Sequence, residues 1–122
     1  MSYTPRRAGK QLLLEYVDNG RSKYYRRAGK NTLISLVNNG KDVVVTLHGT
    51  NIVSYVGDSI VLNSGNYRTV TTKKYMNKYS PVGIFQKDWK WYVCTGGQVY
   101  DFYDGMMFLQ NADGTWYCVS PK

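Results

Sequence analysis

Arg6–Arg21 (RRAGKQLLLEYVDNGR) and Arg26–Lys41 (RRAGKNTLISLVNNGK) align at a spacing of 20 residues, with nine of sixteen positions identical. A repeat this short describes two copies of one local element, because a solenoid needs at least about three copies to bury its faces. The more favourable reading of each copy is a short helix. In the second copy Leu33, Ile34, Leu36 and Val37 share one arc at helical spacing, and strand alternation would divide them between two faces. Gly20 and Gly40 then fall just past each helix end, where a left-handed residue is wanted. The rival reading is two hairpins turning at Asn19-Gly20 and Asn39-Gly40, and it competes most closely for the first copy, which Tyr24 and Tyr25 follow in an extended stretch.

Beyond Gly40 the pattern becomes one of strands. Val43–Leu47 is β-branched and reads as a buried strand. Ile52–Val56 and Ser59–Asn63 flank Gly57-Asp58, a dipeptide suited to a two-residue hairpin turn. Asn63-Ser64-Gly65-Asn66 is a further turn cluster, with a short strand expected over Tyr67–Val70. Thr71 and Thr72 are candidate N-caps for a helix through Tyr79, which must stop before Pro81. Tyr75, Met76 and Tyr79 lie on one side of that helix and Lys73, Lys74, Asn77 and Lys78 on the other. Two turns are not stable alone, so the apolar side must dock on a sheet and leave the lysines outward. Strands follow over Ile84–Gln86, Trp89–Val93, Val99–Tyr103, Met106–Leu109 and Trp116–Val119, with Asp104-Gly105 and Asp113-Gly114 as turns.

The sum is an α+β chain: one or two short N-terminal helices, a curved, mostly antiparallel sheet of about five to seven strands, and a short basic helix near residues 72–79. Residues 1–30 read as a basic extension carrying the first RRAGK copy, and 31–122 as a single domain.

The net charge of +8 is unevenly placed. Residues 1–41 carry +7 and residues 68–78 carry +4, whereas 42–67 and 79–122 are slightly acidic. Such asymmetry points to an acidic partner, nucleic acid before others. The residues expected to meet it are Arg26, Arg27, Lys30, Arg68, Lys73, Lys74 and Lys78, with Tyr24 and Tyr25 placed to stack on unpaired bases. Arg6, Arg7 and Lys10 repeat the same pattern ahead of the first copy. No base-reading helix is evident, so binding without strong sequence preference, to single-stranded DNA or RNA first, is expected.

Enzyme chemistry is disfavoured. His48 is the only histidine, so a metal-free ribonuclease would have to find its general acid in a lysine or tyrosine. Asp101 and Asp104 are three apart in a strand–turn segment and make a poor metal pair. Cys94 and Cys118 lack metal-ligand spacing and read as reduced, strand-borne thiols, with a bridge between neighbouring strands as the alternative. No cofactor is expected. MSYTPRRAGK has no apolar stretch behind its charges, and no apolar run is longer than four residues, so neither a secretory signal nor a membrane span is expected.

The strings LHGTNIV, GDSIVLNSGNYRTVTTKKYMN, FQKDWKWYV and DFYDGMMF resemble a family of small proteins encoded by tailed bacteriophages. The resemblance runs over residues 31–109 and implies phage origin and an α+β fold, but no activity; the expected location is the host bacterial cytoplasm. The duplicated RRAGK segment departs from that pattern. Phage context also admits two other roles: an inhibitor or modulator of a host protein complex, for which a basic, tyrosine-rich surface is suited, and a virion structural component.

Overall fold

The computed structural model describes residues 9–22, 24–66 and 68–119. A helix, α1 (Lys10–Asp18), is followed by five strands: β1 (Tyr25–Gly29), β2 (Thr32–Val37), β3 (Asp42–Leu47), β4 (Thr50–Val56) and β5 (Ser59–Leu62). A second helix, α2 (Val70–Tyr79), leads into β6 (Gly83–Lys87), β7 (Lys90–Thr95), β8 (Gln98–Asp101), β9 (Met106–Gln110) and β10 (Trp116–Cys118). The chain is thus mostly antiparallel β-sheet with two helices, in line with the expected α+β class.

The strands form two sheets, where one was expected. Seven strands run in the order β1-β2-β3-β4-β5-β9-β10, and β6-β7-β8 make a separate three-stranded sheet. The division arises at Leu62. Its chain leaves the large sheet for α2 and the small sheet, and β9 later returns to pair with β5 in antiparallel register, Ile60 opposite Phe108.

The two repeat copies fold differently. The first forms α1, and the second forms the β1–β2 hairpin, correcting the expectation of a second helix. Gln11-Leu12-Leu13-Leu14-Glu15 are strong helix formers, and of the equivalent Asn31-Thr32-Leu33-Ile34-Ser35 all but Leu33 are β-branched or backbone-competing residues. In α1 the residues Leu13, Tyr16 and Val17 are buried against β2 and β3. In β2 the inward row is Thr32, Ile34 and Leu36. Asn38, Asn39 and Gly40 all have positive φ (54°, 59° and 83°), so the Asn-Gly hairpin turn holds in the second copy. Gly20 is not left-handed; it lies close to Arg26, whose Cδ would be 3.0 Å from a Cβ at that position.

Alternation explains the core. Val43, Val45 and Leu47 face inward on β3, Ile60 and Leu62 on β5, and Met106 and Phe108 on β9. A bulge between Val45 and Thr46 of the β3–β4 pair puts both Ile52 and Val53 inside. Each such fully buried side chain contributes roughly 1.5–3 kcal/mol relative to exposure. Residues 9–30 supply α1 and β1 to this same core and sheet.

No strand covers 68–70, because Val70 already begins α2; Tyr67 lies outside the described residues. The cap is Thr69, not Thr71 or Thr72: its Oγ1 accepts the Thr72 N–H at 3.1 Å. At the other end Tyr55 donates its hydroxyl to the Tyr79 carbonyl at 2.6 Å. Burial pushes the Tyr55 phenol far above the ordinary tyrosine range and Tyr79 up to about 12, so both stay neutral.

Asp42 ties three segments together. Its carboxylate accepts from the Gly57 N–H at 2.9 Å, from Asn38 Nδ2, and from Lys10 Nζ at 3.1 Å. These bonds, led by the one from Gly57, hold its pKa at about 2.

Candidate functional site

The position of α2 on the protein is fixed by Met76 and Tyr79 beneath it and by Asn77 at its flank. Asn77 accepts the Ile84 N–H at 2.8 Å and donates Nδ2 to the Ile84 carbonyl at 2.9 Å. A residue expected to face outward with the lysines is therefore the tie between α2 and β6. That bond pair sets the basic side of α2 beside the β6–β7 hairpin. Lys73 Nζ reaches Gln86 Oε1 at 3.4 Å across the junction. Lys74 is exposed, and Lys78 lies 5.4 Å from the centroid of the Tyr79 ring.

The hairpin tip is the least ordinary local structure among the described residues. Asp88 and Trp89 connect β6 to β7 with φ of 52° and 68°, so Trp89 is a turn residue and not the first of a strand, as its sequence suggested. Two successive positive φ values are the requirement of a type I′ turn, usually met by Asn-Gly or Asp-Gly. A bulky aromatic in that region is an outlier. Trp89 is also 93% exposed, so the indole packs on almost nothing. The strand pair closing this turn is Lys87 opposite Lys90, and like charges in that relation are destabilising. Lys73, Gln86, Lys87, Asp88 and Trp89 together line a shallow concavity of about 450 Å³.

Behind the tip, Phe85 and Tyr92 stack across the strands with centroids 5.4 Å apart and planes 24° apart. Phe85 is 37% exposed, and the pair lies on the outer face of the small sheet with Asp101 opposite Tyr92. The inner face carries Ile84, Trp91 and Val93, and Trp91 meets Phe102 edge-on at 5.4 Å. The tip thus projects from a sheet that is firmly packed on one side.

The expected N-terminal cations divide into engaged and available groups. Arg26 lies 4.2 Å over the Tyr16 ring and donates Nη1 to the Tyr16 carbonyl at 2.9 Å, holding the end of α1. Lys10 is held by Asp42 and by the Gly57 carbonyl at 3.0 Å. Arg6 and Arg7 lie outside the described residues. Arg27 donates Nη1 to the Lys30 carbonyl at 3.0 Å, and Arg27 and Lys30 are both exposed at the β1–β2 turn. Tyr24 and Tyr25 are 76% and 51% exposed. That turn approaches α2: a Cβ on Gly29 would lie 3.1 Å from the Tyr75 hydroxyl. Arg68 sits 5.0 Å over the Phe102 ring. The structure brings Lys73 of α2 together with Lys87 and Trp89 around the shallow concavity, and Lys90 pairs with Lys87 across the strands; Lys87, Lys90 and Trp89 are three residues that the sequence reading did not single out. Their signal was the string K-D-W-K between two strand halves, which places a tryptophan where a turn residue belongs.

His48 occupies the β3–β4 turn with φ of 51°, exposed, its N–H donating to the Asn31 carbonyl at 3.0 Å. It borders a groove of about 510 Å³ with Thr50, Ser64, Thr69 and Thr71 over a floor of Leu47 and Ile52. Asp104 accepts both the N–H and the hydroxyl of Ser64, at 2.8 and 2.7 Å. Cys94 and Cys118 lie on β7 and β10, strands of different sheets. Among the described residues no helix is long and apolar enough to cross a membrane.

No curated protein and no solved structure matches the chain. A family model, that of the Kyanoviridae Gp96 protein, matches residues 9–109. The match starts at Gly9, so all but the first three residues of the first repeat copy, which departed from the pattern the sequence resembled, lie within the matched extent. Fold, phage-type motifs and this match agree: the chain belongs to the Kyanoviridae Gp96 family of tailed-phage (cyanophage) proteins.

Proposed function

We propose that this protein is an accessory nucleic-acid-binding protein of the phage, acting in the host bacterial cytoplasm without a cofactor. It binds mainly through the phosphate backbone, with single-stranded DNA or RNA preferred. The observation that carries this reading is the concavity that Lys73 of α2 shares with Lys87 and Trp89 of the hairpin, with Lys90 paired to Lys87 and Lys74 exposed next along α2. Lysines held on two separately anchored elements form a fixed track for phosphates, and the binding they give is sequence-independent and salt-sensitive. Arg27 and Lys30, on the turn next to Tyr75, extend the track on the far side of α2. Arg68, Lys78, Tyr24 and Tyr25 are its outlying members.

The test is a double charge reversal, Lys73→Glu with Lys74→Glu, read by fluorescence anisotropy on a labelled oligonucleotide. The expected result is a loss of at least tenfold in affinity with the thermal melt unchanged, since Lys74 is exposed and Lys73 makes one long contact. Unchanged affinity would overturn the reading. A host protein that is captured equally before and after nuclease treatment, with no oligonucleotide binding, would favour modulation of a host complex through the same surface.

A further inference from the structure

We infer that Trp89 is a base-stacking platform: its indole takes the face of one unpaired base while Lys73, Lys87 and Lys90 hold the flanking phosphates. The inference rests on the nucleic-acid reading and names the strand type and the contact that the surface is built for. Its ground is a pair of local penalties that no hydrogen bond, ion pair or ring contact among the described residues offsets. Trp89 is held at a φ of 68°, where a bulky side chain is disfavoured, and at 93% exposure its indole has no packing to offset that. The turn is closed by Lys87 opposite Lys90, a repulsive pair. Unfavourable backbone and charge placed together at an exposed tip are features that fold stability alone does not select. One ligand makes use of both features. Phosphates neutralise the two lysines, and a base covers the indole.

An unpaired base fits better than a duplex or a lipid surface. The stacked bases of a duplex have no free face for an indole, whereas a single strand offers one on every residue. A membrane contact needs several apolar side chains at the tip. Here Phe85 and Tyr92 are stacked on one another along the sheet face, behind a tip that carries one indole and charged neighbours. The support is rigid, because Asn77 clamps Ile84 and Trp91 is buried against Phe102, so the platform is presented without a large ordering cost on binding.

The test uses the full chain and its Trp89→Ala and Trp89→Phe variants, titrated against an oligothymidylate, a duplex of equal length, and vesicles of anionic lipid. Trp89→Ala is expected to weaken oligothymidylate binding roughly five- to hundredfold, as loss of one stacked base does. Trp89→Phe should restore most of the affinity, the duplex affinity should move little, and the salt slope should be unchanged because no charge is lost. Wild-type binding with a steep salt slope that Trp89→Ala leaves intact overturns the platform and spares the phosphate track. Absence of any oligonucleotide binding by the wild type overturns both. Vesicle binding that needs Trp89, with oligonucleotide binding that does not, overturns the platform in favour of a lipid surface.

Discussion

Replacing Trp89 by glycine should leave the protein about as stable and less able to bind. The indole keeps under a tenth of its area from water, about 20 Å², so its removal forfeits only about 0.5 kcal/mol of burial. The φ of 68° costs an L-residue roughly 1–2 kcal/mol that glycine does not incur. Glycine returns about 0.4–1 kcal/mol of that through the greater freedom of its unfolded chain. The alanine variant isolates the backbone effect, since it loses the same indole and keeps the same penalty. Trp89→Gly should therefore exceed Trp89→Ala in stability by about 0.5–1 kcal/mol, a melting-temperature difference of roughly 2–4 °C for a domain of this size. Thermal unfolding followed by circular dichroism measures it. An alanine variant more stable than the glycine variant by about 0.4–1 kcal/mol would show that position 89 carries no backbone penalty, and the case for a functional tryptophan there would lose its main support.

Other outcomes follow from single contacts. Asn77→Ala removes both partners of the Ile84 backbone groups and should cost about 2–3 kcal/mol in chemical denaturation. Arg26→Ala loses the bond to the Tyr16 carbonyl and the stack on its ring; it should cost about 1–2 kcal/mol, with little change in oligonucleotide affinity. Asp42 titrates at about 2 in the fold against 3.8 as its ordinary value, so in that window the unfolded chain holds more protons. Its contribution is fully present above about pH 5 and is lost as pH falls through 4 towards 2. Thermal melts between pH 5 and pH 2 should show that loss, and Asp42→Asn should flatten it.

Much of the local structure was legible in the sequence because single residues dictate it. Gly57-Asp58 fixed a hairpin turn through the positive φ at Gly57, and Pro81 set the limit of α2. The second repeat copy was not legible from periodicity. Leu33, Ile34, Leu36 and Val37 fit a helical arc, yet β2 places Ile34 and Leu36 inward and leaves Leu33 and Val37 half-buried outside. Propensity separated the copies where apolar spacing did not: Thr32, Ile34 and Ser35 stand where the first copy has Leu12, Leu14 and Glu15. The division into two sheets depends on β9 pairing with β5, a contact across more than forty residues that no local signal encodes. The basic helix was legible from its charges. Its partner hairpin was not, because a tryptophan in a left-handed turn contradicts the local preferences on which such readings depend.

The proposed lysine track binds single-stranded nucleic acid through phosphates. The most direct measurement is the dissociation constant for an oligothymidylate between 50 and 300 mM salt, on protein freed of bound nucleic acid. Engagement of about four phosphates predicts a slope of log affinity on log salt near −2.8, against about −3.6 for a duplex, with the single strand bound more tightly. A slope near zero, or no binding at the lowest salt, would contradict the account.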